Sequence, residues 1–101
     1  MCLIVDEESS IRHFISLILH GLGIDTIELA DGAALRTVRA PRAPALIFHD
    51  VSLDSADAIE SLLRLGNAEY GGPVQLMSCR GAAVLEHIRK VGLDHKLNML
   101  A

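Results

Sequence analysis

Tryptophan is absent from this sequence of 101 residues, and only 3% of its residues are aromatic. Flat rings are what stack on bases and sugars, so their scarcity favours a layered aliphatic core over a stacking surface for either. Basic residues are also few. Nine Lys and Arg stand against 13 Asp and Glu, the formal charge is −4, and no basic run occurs. That excludes the electrostatic footprint of a nucleic-acid or anionic-membrane binder, so direct DNA contact would fall to another domain. The only cysteines, Cys2 and Cys79, fit no zinc or redox spacing and are expected as free thiols in a reducing compartment. No apolar run approaches a membrane span, and Asp6, Glu7 and Glu8 interrupt the N-terminus before a signal peptide could form. The cytoplasm is the expected location.

What the chain does have is aliphatic. Hydrophobic residues make up 50% of it, nearly all Leu, Ile, Val and Ala, which suits one layered α/β domain over residues 1–101. Cys2-Leu3-Ile4-Val5 reads as a buried strand apolar on both faces. Ser9 or Ser10 is expected to cap a following helix. Ile11, Phe14, Ile15, Ile18, Leu19 and Leu22 recur at helical spacing as one apolar stripe, and Gly21 and Gly23 stop the helix. Thr26 to Leu29 reads as a weaker strand, Ala33 to Arg39 as a short helix ended by Pro41 and Pro44. Ala45 to Phe48 is a third strand delivering His49 and Asp50 at its end. A loop over 51–56 leads to a helix with Ile59, Leu62 and Leu63 inward. Val74 to Met77 is a fourth strand ending at Ser78, Ala82 to Val91 a helix closed by Gly92, and Leu97 to Leu100 a fifth strand. Such alternation argues for a parallel sheet with helices on both faces.

In open parallel sheets, ligands bind beyond the carboxyl ends of the strands. The candidates are therefore Asp6, Glu7 and Glu8 after the first strand, Asp50 after the third and Ser78 after the fourth. Taken singly, an acid at a strand end does no more than cap a helix or face water about as often as it serves a site, so it is the combination at this spacing that points to one. Converging carboxylates repel, and staying ionised requires a cation. Mg²⁺ suits them, because it takes few carboxylates and keeps several waters. A carboxylate beside such an ion is equipped for phosphoryl transfer, with Asp50 as nucleophile and the Ser78 hydroxyl as donor to a phosphoryl oxygen.

These residues resemble the receiver domains of two-component response regulators along the whole chain. Leu3-Ile4-Val5-Asp6-Glu7-Glu8 is similar to the family's first strand with its acidic pair. Ala45-Leu46-Ile47-Phe48-His49-Asp50 is similar to the third strand ending in the phosphoacceptor. Val74-Gln75-Leu76-Met77-Ser78-Cys79 is similar to the fourth strand with its switch hydroxyl. The resemblance implies a flavodoxin-like (CheY-like) parallel sheet of five strands, order 2-1-3-4-5, with helices on both faces. It implies that Asp50 accepts a phosphoryl group from a histidine kinase or phosphotransfer protein. It implies that Mg²⁺ is held by Asp6, Glu7, Asp50 and the backbone carbonyl of Ser52, and that Ser78 turns inward and shifts the face around the 82–91 helix. Such a domain is a switch and not an enzyme, and its output domain is unknown.

The chain departs from the family at three places. Asp54 stands where Pro is usual, and Asp57-Ala58 stands where Asp-Gly is usual, so Ala58 would be strained if that site needs positive φ. The family's lysine after the fifth strand and its fifth helix have no counterpart up to Ala101. Lys96 precedes the candidate strand and is not given that role. An incomplete receiver domain is expected to be phosphorylated weakly. It is also expected to form a homo-oligomer through the uncovered sheet face.

Other residues invite functional readings that their context does not support. His13, His20, His49, His87 and His95 form no metal-binding pair, and His49 points to the opposite strand face from Asp50. Cys79 reads as a small residue beside the switch, Arg80 as a solvated loop arginine, and Gly71-Gly72 as a turn. Two other functions compete. A degenerate receiver would act as a phosphate-independent interaction module. A phosphatase-like enzyme would need a general acid near Asp50, and the sequence offers no clear one.

Overall fold

The computed structural model describes residues 1–31, 44–51, 55–67, 70–78 and 82–100. In chain order these form β1 (Cys2–Val5), α1 (Ser9–Gly21), β2 (Thr26–Leu29), β3 (Leu46–Asp50), α2 (Ser55–Asn67), β4 (Pro73–Met77), α3 (Ala82–Asp94) and β5 (Asn98–Met99). The strands make one five-stranded sheet of order β2-β1-β3-β4-β5, parallel throughout. This is the architecture expected from the alternating pattern. The expected helix over 33–39 lies outside the described residues, as do Ser52, Asp54, Cys79 and Arg80.

The three described helices divide between the two faces. Leu3, Ile47, Val74 and Leu76 pack on one face against Ala58 and Leu62 of α2 and Ile88 of α3. Cys2 and Ile4 pack on the other against Leu19 and Ile15 of α1, joined by Leu46 and Phe48. β1 is buried on both faces, which is why its residues are all apolar. Ile4 and Ile47 are fully buried, and each such side chain contributes about 1.5–3 kcal/mol. On β3 and β4, alternate residues are only half-buried, among them Phe48, Gln75 and Met77, because only α1 lies on that face among the described helices.

The helix ends correct several expectations. Neither Ser9 nor Ser10 caps α1: both lie inside the helix, and the N-cap is Glu8, whose side chain makes no capping bond. The C-terminus of α1 does end on glycine. Gly23 has φ of 80°, its N–H donates to His20 O at 2.9 Å, and the Ile24 N–H donates to Leu19 O at 2.9 Å. Only a residue without Cβ takes that turn freely. Gly92 does not close α3, which continues to Asp94. Its lack of a side chain serves packing instead, since a Cβ there would fall on the Met99 sulfur. The left-handed residue ending α3 is Lys96, with φ of 64°. Ala58 sits within α2, buried, and is not among the described positive-φ residues, so no strain arises there. β5 is shorter than expected, spanning Asn98–Met99.

Candidate functional site

The strand registers place the candidate residues. Val5 pairs with His49, and Asp50 pairs with Met77. Asp6, Asp50 and Ser78 therefore follow or end three neighbouring strands, β1, β3 and β4, at their carboxyl ends. The β1–β3 boundary is also where the strand order reverses, and there the loops part to leave a crevice.

Asp6 is the most constrained of these residues, at 6% exposure. Its N–H donates to Leu29 O at 3.1 Å, extending the β2 side of β1 by one residue. Its Oδ1 accepts the Glu8 N–H at 2.9 Å, which turns the chain into α1. Its carbonyl accepts a bond of 2.6 Å from Arg12 Nη1. Arg12 in turn lies with Nε 3.6 Å from Glu28 Oε1 on β2, and His13 Nδ1 approaches the same oxygen at 2.7 Å. Arg12 thus joins β1, β2 and α1 at the site. Sequence reasoning passed over it. The available signal was its place on the inward side of α1, with Ile15, Ser16 and Leu19.

Glu7, next to Asp6, is exposed. Asp50 is half-buried, and so is Ser78. Behind Asp50, Val51 is fully buried and its N–H donates to Met77 O at 2.7 Å, locking β3 to β4 beneath the site. His49 is buried on the opposite face, as alternation requires, with Nδ1 2.8 Å from the Asp50 carbonyl. Ser52 lies outside the described residues. Among the described residues, no group of three or more His, Cys, Asp or Glu side chains is gathered to hold a metal ion. Mg²⁺ asks for less, since one or two carboxylates with waters hold it. Asp6 and Asp50, at the ends of paired strands, fit that demand, and solvent-facing Glu7 can join them.

The comparisons with known proteins agree with this topology. No family model matches the chain. The DNA-binding response regulator MtrA of Mycolicibacterium paratuberculosis is 32% identical over 79 residues, covering 77% of this chain and 34% of that protein. The chain thus spans about a third of the length of the curated relatives it matches. A response regulator from Colwellia psychrerythraea superposes with a TM-score of 0.82 at 20% identity, over 98% of this chain and 78% of that one. The chain is a CheY-like response-regulator receiver domain. Another structural neighbour, the response regulator protein TrrA of Thermotoga maritima, was solved in complex with Mg²⁺ and BeF. It matches with a TM-score of 0.73 at 14% identity, over 89% of this chain and 78% of that one. Receiver domains of this fold are regulatory phosphoacceptor modules, not turnover catalysts. No described helix of this receiver is long and apolar enough to cross a membrane.

Proposed function

We propose that this receiver accepts a phosphoryl group on Asp50 from a phosphohistidine of a histidine kinase or phosphotransfer protein. The observation that carries the reading is the placement of Asp6, Asp50 and Ser78 at the carboxyl ends of β1, β3 and β4. An Asp50 oxygen attacks phosphorus, the phosphorus–nitrogen bond breaks, and the imidazole leaves with a proton, giving an acyl phosphate. Asp6, Glu7, Asp50 and the Ser52 carbonyl would hold Mg²⁺, which offsets charge on the phosphoryl oxygens. The likeness to TrrA supports that choice of ion. Ser78 then donates its hydroxyl to a phosphoryl oxygen and carries the change to the α3 face. The domain works in the cytoplasm, and contact with DNA belongs to an output domain.

A second reading is a receiver that acts by phosphate-independent protein contacts. What favours it is the changed sequence after Asp50, with Asp54 where the family usually has Pro and Asp57-Ala58 where it usually has Asp-Gly. One experiment separates the two. The chain is incubated with Mg²⁺ and acetyl phosphate beside an Asp50→Asn control, and intact mass is read. A single phosphoryl adduct, lost in the control, is expected. A folded chain without adduct would turn the assignment to the interaction module.

A further inference from the structure

In a parallel sheet, the N–H and C=O of one residue point to the same neighbour, and the next residue points to the other. The Val51 N–H reaches β4 at Met77. The Asp50 carbonyl, one residue earlier, therefore points toward β1. There β1 has ended: pairing stops at Val5 opposite His49, Asp6 turns its N–H to Leu29, and α1 begins at Ser9. The His49 ring reaches this carbonyl, with Nδ1 2.8 Å from the Asp50 oxygen. A carbonyl only accepts, so Nδ1 carries the hydrogen, and this fixes the tautomer of the ring. The ring is 3% exposed and shares a strand face with Ile47, on the α2–α3 side of the sheet. A polar ring among aliphatic side chains costs stability unless it is bonded. The Nδ1 bond offsets part of that cost.

We propose that His49 is a positioning residue for phosphoryl acceptance at Asp50. Through Nδ1–H it holds the Asp50 peptide from the core side, and so fixes the direction in which the Cα presents the carboxylate to the crevice. Because packing holds the ring on the far face of the sheet, the device leaves the crevice clear for donor and ion. The inference rests on the reading of Asp50 as phosphoacceptor.

The test replaces His49 by Leu, Asn and Gln and follows two readouts: the rate of adduct formation with Mg²⁺ and acetyl phosphate, and the thermal midpoint. Asn places an N–H where Nδ1 lies, while Gln places it one bond further along. H49L is expected to melt at or above the wild-type temperature yet label about tenfold more slowly, the usual effect of losing a group that orients a reactive or ligating carboxylate. H49N is expected to recover the wild-type rate, and H49Q to stay slow. Equal rates in all four proteins, or rates that follow the melting temperatures and ignore donor position, would overturn the proposal. Should H49L not fold, the contrast between H49N and H49Q decides. A folded wild type with no adduct would overturn the phosphoacceptor reading and this inference together, whereas a wild-type adduct with unaffected variants would overturn the inference alone.

Discussion

Arg12 donates to the Asp6 carbonyl at 2.6 Å while its Nε lies 3.6 Å from Glu28, so one side chain holds the end of β1 against both α1 and β2. Its side chain is only 15% exposed, which shields these contacts from water. Arg12→Met keeps the apolar stem and removes the donors. We expect a stability loss of about 2 kcal/mol, in the range for hydrogen bonds involving a charged partner. Mg²⁺ affinity should fall with it, because Asp6 loses its anchor. Urea unfolding and a Mg²⁺ titration check the two parts separately, and an unchanged urea midpoint would show that the anchor contributes nothing.

Lys96 ends α3 in the left-handed conformation, with its N–H on Leu93 O at 3.0 Å and the Leu97 N–H on Gly92 O at 3.0 Å. Gly23 makes the equivalent pair of bonds after α1. The left-handed region costs a residue with Cβ about 1 kcal/mol. Lys96→Gly should therefore stabilise the chain by about that amount, and Gly23→Ala should destabilise it similarly. Denaturant midpoints moving in the same direction for both would contradict this.

Burial pushes the Cys2 thiol above its ordinary value of 9.0. Burial, with a smaller contribution from the Cys2 charge, also raises Tyr70 above 10.0, and the Tyr70 hydroxyl donates to the Pro44 and Pro73 carbonyls. Both groups hold their protons more tightly folded than unfolded. Their contribution is complete below the unfolded values and is lost as pH rises through the folded ones. The melting temperature should thus decline above about pH 9, and Cys2→Ala with Tyr70→Phe should flatten that decline. A wild-type melt independent of pH up to 11, roughly, would rule out the coupling.

Phe14 and Leu17 of α1 and Leu22 at its C-cap are 63%, 73% and 71% exposed, beside the half-buried face of β3 and β4. A second copy of the chain, placed by a two-fold axis, would cover this stripe with its own. Sedimentation should show association that rises with concentration. Phe14→Lys with Leu17→Glu should abolish it while changing stability by no more than about 0.5 kcal/mol per site, as befits exposed positions. A wild type that stays monomeric at high concentration would defeat the expectation.

The sheet was legible because its determinants are local. Short apolar runs such as Leu3-Ile4-Val5 and Leu46-Ile47-Phe48, alternating with helical patterns, read as strands of a parallel sheet, and the acids and serine that end them mark the crevice. The helix boundaries were less legible. Gly23 signals its turn openly, but Gly92 looks the same in sequence and answers instead to Met99, a contact set by tertiary packing. Lys96 gives no sign of its backbone conformation, because a lysine carries no turn signal and the bonds that impose it run from Lys96 and Leu97 back to Leu93 and Gly92 of α3. Arg12 was hidden for a different reason. Its partners, Asp6 and Glu28, are far apart in sequence and meet only once β1 and β2 pair.

The alternation along β3 has a consequence for how the sheet finds its alignment. Asp50 and Phe48 share one side of the strand, His49 and Ile47 the other. Sliding β3 by one residue would drive the Asp50 carboxylate into the aliphatic layer between sheet, α2 and α3, and turn Ile47 out to the half-open side. Burying that unpaired charge would cost more than any mispaired ladder could return. The group set at the crevice for chemistry therefore also acts during folding, as the mark by which the correct alignment is told from its nearest rival.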